Sequence, residues 1–123
     1  MTLSEVAFYA NILRFVAGRS DRSDPRVAEM MDALVDAAGE IEARGALTVP
    51  AGRYEITARA FAGVAGFLLK QILPEAVAHG NAAGEAQLRW AVDASMEMVN
   101  RLLSEAALGH GDRPIELRPS PGA

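Results

Sequence analysis

"ARAFAGVAGFLLKQIL", residues 58–73, is the most apolar stretch of the chain, and its reading decides the fold. It holds seven large apolar side chains, two glycines and the only lysine, Lys70. Wound as a helix, positions three and four apart share a face. Glu55, Arg59, Ala62, Gly66 and Lys70 then form a polar stripe whose middle is small residues rather than charges. Phe61, Val64, Leu68 and Ile72 form one apolar face, and Ile56, Ala60, Gly63 and Phe67 form another beside it. A helix apolar around most of its circumference belongs at the centre of a bundle, touched on several sides. Gly63 and Gly66 each cost about 1 kcal/mol against alanine in a helix interior, so a close backbone neighbour is expected to offset them, either the first helix or a second copy of this one across a dimer. A membrane span is not expected: the longest uncharged run, Ala60 to Leu69, is ten residues. A bilayer needs about 20.

Working outward, this third helix begins between Pro50 and Arg53 and runs to Leu73. Pro74 ends or kinks it, since proline lacks an N–H and clashes with the preceding turn. "PEAVAH" adds one or two turns before Gly80. The first helix spans Leu3 to Ala17, with Thr2 and Glu5 at capping-box spacing, Met1 and Val6 placed for a hydrophobic staple, and Gly18 as its C′ residue. Asp24 and Pro25 signal the start of the second helix, which Gly45 stops. Its Val27, Met31, Leu34, Ala38 and Ile41 make a buried stripe, opposite the acidic face of Glu29, Asp32, Asp36, Glu40 and Glu42. Asn81 caps the fourth helix, which runs to about Leu108. Its apolar stripe contains Ser95, whose hydroxyl can bond back to the carbonyl one turn earlier, so that it need not break the face. Glu85, Arg89, Asp93, Glu97, Arg101 and Glu105 recur every four residues as a charge ladder on another of its faces.

The expectation is an all-α, up-and-down bundle of four main helices with a possible break at Pro74. It occupies residues 1–109 as one domain, followed by a flexible, irregular, proline-broken tail over 110–123. "IEL" in that tail has the look of a short strand, but a lone strand in a helical protein has no evident partner. At 123 residues the chain is large enough for a sizeable core without a staple.

Composition narrows the function classes. Net charge is −4 and eleven of the twelve basic residues are arginine, a bias that points to a GC-rich bacterial genome. The acidic balance argues against nucleic acid, whose binders cluster Lys and Arg. Without cysteine there are no disulfides, thiolate metal sites or cysteine nucleophiles. That composition and a start without basic or apolar leader character are compatible with the cytoplasm.

No catalytic or metal constellation is legible, and no cofactor is implied. His79 and His110 each sit in a Gly-flanked segment without a second ligand at metal spacing. Glu75 and His79, one turn apart, are the smallest acid–base pair on offer and read as a surface pair.

What stands out is surplus apolar surface. The first helix is apolar on most sides, like the third. Two such helices exceed what four helices of this size cover. Phe8, Ile12, Phe15, Ala62, Gly63, Gly66 and Phe67 are therefore the expected oligomer or partner surface, most simply of a two-fold dimer. The acidic face of the second helix is a candidate for a basic protein partner. The chain reads as a non-enzymatic helical interaction module of adaptor, chaperone, inhibitor or regulator type. The alternative is a small apolar-ligand binder with a pocket near Tyr9, Phe61, Trp90 and Met98.

Overall fold

The computed structural model describes residues 2–119. Six helical segments and two short strands follow one another. They are α1 (Leu3–Arg19), α2 (Pro25–Arg44), β1 (Leu47–Val49), α3 (Tyr54–Phe67), a π turn (Leu68–Ile72), α4 (Leu73–Ala78), α5 (Ala82–Ala107) and β2 (Ile115–Leu117). α3, the π turn and α4 form one continuous helix of 25 residues, so the architecture is the expected all-α bundle of four main helices.

Local chemistry sets most of the boundaries. The Thr2 hydroxyl accepts from the Glu5 N–H at 3.1 Å, and the Glu5 carboxylate accepts from the Thr2 N–H at 3.5 Å, which completes the capping box. Met1, expected to staple onto Val6, lies outside the described residues. Gly18 does not end α1, because the helix continues to Arg19 and the Ser20 hydroxyl bonds the Val16 carbonyl at 3.0 Å. Asp24 caps α2 through the Arg26 N–H at 2.9 Å, and Gly45, at φ 68°, closes it onto the Ile41 carbonyl at 2.7 Å. Asn81 caps α5 through the Gly84 N–H at 2.9 Å.

Pro74 neither ends nor breaks the third helix. It has no N–H to give to Lys70, and its ring crowds the preceding turn. The helix widens instead, with the Leu73 N–H bonding the Leu68 carbonyl five residues back. A π turn of this kind inserts one residue without stopping the helix. The resulting 25-residue helix is long enough to cross a bilayer, so length does not exclude a span as expected. Its apolar side is used elsewhere: Phe61, Val64 and Leu68 are fully buried among the other helices. That is the central position its pattern called for.

The core joins all the helices. α1 contributes Tyr9, Ala10 and Leu13, α2 contributes Leu34, Ala38 and Ile41, and α5 contributes Ala91, Ser95 and Leu102. One polar pair sits inside it. The Ser95 hydroxyl donates to the Ala91 carbonyl at 2.8 Å, the back-bond open to it one turn earlier, which leaves its oxygen to accept from Tyr9 Oη at 2.7 Å. Tyr9 is thereby satisfied although no part of it is exposed. Burial pushes its ionisation well above the usual tyrosine range, and the Ser95 bond only partly opposes this.

The tail departs from expectation. β2 pairs antiparallel with β1, Leu47 opposite Leu117, Thr48 opposite Glu116 and Val49 opposite Ile115. The partner of "IEL" is the "LTV" of the α2–α3 connection. Leu47, Val49 and Leu117 are buried, while Thr48 and Glu116 face solvent, the alternation of a ribbon lying on a core. Two further bonds hold the return: Gly52 N–H to the Gly111 carbonyl at 2.9 Å and Tyr54 Oη to the Arg113 carbonyl at 3.0 Å. Residues 110–119 are therefore built into the domain rather than trailing from it, and 120–123 lie outside the described residues.

Candidate functional site: an open seam beside the third helix

The residues expected to form a contact surface fall into two adjoining groups. Phe8, Ile12 and Phe15 line one edge of α1. Across from them, the Phe15 and Phe67 rings meet at 6.0 Å, and Phe8 shares a cleft of about 330 Å³ with Ile72. α1 therefore runs antiparallel to the third helix along this seam. Phe8, Ile12, Phe67 and Ile72 are half-buried against the core, while Phe15 remains 44% exposed. The Arg19 guanidinium lies 5.4 Å from the centre of the Phe15 ring. Much of the apolar surplus of α1 is thus spent within the chain, and the large side chains of this helix left open are Phe15 and, at its first position, Leu3.

The second group is the outer face of α3. Ala62 and Gly63 are exposed and Gly66 is half-buried. A Cβ added at Gly63 or Gly66 meets nothing within 4 Å. Of the two neighbours open to these glycines, a helix of the same chain is therefore not there. Leu69, turned outward in the π turn, is 48% exposed and extends this face. Phe67 joins the two groups, since it touches Phe15 and lies one turn beyond Gly63.

The expected ligand pocket is filled. Tyr9 and Phe61 are 0% exposed and Met98 2%, all packed into the core. Trp90 stands half-buried beside them, its ring edge-on to Tyr9 at 5.7 Å and tilted against Phe8 at 6.4 Å. These aromatic contacts occupy the space that a preformed pocket would need.

The acidic face of α2 is also largely spoken for. Arg14 grips both Glu42 carboxylate oxygens, at 2.8 and 3.2 Å, and holds that carboxyl below its ordinary range. Arg22 pairs with Asp32 at 2.6 Å and Arg53 with Glu29 at 3.0 Å. Glu40 accepts from the Thr48 N–H at 2.7 Å and faces Arg44 at 3.7 Å. Among the described residues, only Asp36 of the five expected carboxylates lacks such a partner. A face neutralised by the chain's own arginines offers little to a basic partner.

Each histidine makes one short contact among the described residues. His79 Nδ1 lies 2.7 Å from the backbone carbonyl of Glu75, not from its carboxylate, so the expected pair is a helix-end contact. His110, which looked isolated in the sequence, has its Nδ1 2.7 Å from Glu105 Oε2, and this contact lowers the carboxyl's ionisation below the usual range. The pair braces the turn after α5, and no nucleophile adjoins it among the contacts described. No group of three or more His, Asp or Glu side chains suited to a metal ion occurs among the described residues.

No known protein family matches this chain, and no curated protein or solved structure shows significant similarity to it.

Proposed function

We propose that this protein is a non-enzymatic helical module that acts by association, beginning with a second copy of itself. The observation that carries the reading is the uncompensated pair Gly63 and Gly66 on the exposed face of α3. Each costs about 1 kcal/mol in a helix interior. Within the chain neither makes a close packing contact, since the space beyond each is open. A helix face without side chains lets another backbone approach closely. The flanking apolar groups Phe15 and Leu69 then lose their remaining exposure to water. A cytoplasmic location belongs to the same reading, because a cysteine-free chain suits a reducing compartment.

The deciding measurement is sedimentation velocity over a concentration series from about 1 to about 100 µM, a span chosen to bracket micromolar dissociation constants. A species of twice the 13.0 kDa chain mass is expected to grow with concentration. A single 13.0 kDa species throughout overturns the proposal.

A further inference from the structure

The outer face of α3 carries a charge pattern that specifies how a second copy lies on it. Glu55 stands at one end with its side chain 80% exposed. Lys70, the chain's only lysine, stands exposed at the other end and, among the described residues, has no ion-pair or hydrogen-bond partner. They are separated by about 22 Å along the helix at 1.5 Å per residue. Their midpoint falls between Ala62 and Gly63, where the face is bare of bulk. A chain with opposite charges equidistant from a small-residue centre is complementary to itself when turned end for end.

We propose that the partner on this face is a second copy of the chain, its α3 laid antiparallel across a two-fold axis near Ala62 and Gly63. The inference rests on the self-association read above and adds its geometry. The axis brings Glu55 of each copy to Lys70 of the other, twice per dimer. It sets Arg59 of each copy over Gly66 of the other, where no side chain obstructs it. Arg59 keeps its Glu55 pair at 2.8 Å within its own helix, so each end of the contact gathers one carboxylate between two cations. A parallel pairing sets glutamate against glutamate and lysine against lysine, and like charges so placed disfavour it.

The test is a charge-reversal cycle on the full chain, with the dimer dissociation constant read by sedimentation equilibrium. Glu55→Lys and Lys70→Glu alone each turn two attractive contacts into two repulsive ones, and each is expected to weaken the dimer about tenfold. The double variant Glu55→Lys/Lys70→Glu restores opposite charges and is expected to return to within about threefold of the parent, with the differences shrinking at about 1 M salt. Both positions are exposed, and helical circular dichroism verifies that each variant is folded. A dimer that forms in the parent but is indifferent to the single reversals, or is not restored in the double, overturns the antiparallel pairing alone. A parent that never dimerises overturns this inference together with the function it rests on.

Discussion

Replacing Gly63 by alanine separates the stability of the chain from its association. The backbone at this position is ordinary helix within α3, and the added methyl meets nothing within 4 Å. No steric penalty opposes the gain from removing a flexible residue, a gain that acts mainly through the unfolded state. The isolated chain should therefore be stabilised by about 1 kcal/mol. For a domain of this size that is a rise in melting temperature of about 3–6 °C. At the proposed contact the sign reverses, since two methyl groups enter the point of closest approach. The assay is urea unfolding, followed by helical circular dichroism at protein concentrations below and above the dissociation constant. A dimer that binds only the folded state makes the parent's midpoint rise with concentration. The variant should begin higher at low concentration and climb less. A lower midpoint at low concentration shows that the space at Gly63 is not open. A higher midpoint with undiminished concentration dependence shows that association uses another face.

Four other outcomes follow from the core, the tail and the titrating groups. Ser95→Ala should cost more than Tyr9→Phe, about 1–3 against about 0.5–1.5 kcal/mol, because only the former strands a buried hydroxyl; equal losses in denaturant unfolding refute the donor order assigned here. Tyr9 ionises above the tyrosine range in the folded chain, so the stability it contributes is complete below about pH 10 and is lost as pH rises beyond it. Tyrosinate absorbance should accordingly show Tyr9 ionising only as circular dichroism reports unfolding, and ionisation near pH 10 in the folded chain contradicts its burial. Glu105 is shifted the other way by His110, so its contribution is present above the ordinary glutamate value and lost as pH falls through the lowered one; His110→Ala should raise the Glu105 midpoint in a carboxylate NMR titration, and an unchanged midpoint removes the pair. Leu117→Ala, at a position with no exposed surface, should destabilise by about 2–5 kcal/mol, whereas a loss below about 0.5 kcal/mol shows that the tail is not part of the core.

Much of this fold is legible residue by residue, because its signals are local. The Thr2–Glu5 box, Asp24 with Pro25, Gly45 and Asn81 act on groups within one turn of themselves, and they set boundaries wherever that turn lies in space. The stripes of α2 and α3 reflect the helical period alone, and they correctly place Leu34, Ile41, Phe61 and Val64 inside. The back-bond of Ser95 is equally local. Gly18 and Pro74 are harder to read for one reason: each has two local solutions. A serine hydroxyl could cap the carbonyl that the glycine was expected to release, and a widened turn could absorb the proline.

What lies between distant residues needed the folded chain. The pairing of Leu47 with Leu117 is invisible to a reading in which each three-residue run has no partner. The Tyr9–Ser95 bond turned an expected pocket into packed core, and three arginines brought from other segments, with Arg44 of α2 itself, engage four of the five carboxylates on the acidic face of α2. The glycines of α3 show the division most plainly. Their spacing in the sequence announces a surface that a backbone can approach, since the missing Cβ is a property of the residue. Whether a helix of the same chain takes that place depends on where all the other helices pack, and in this fold none does.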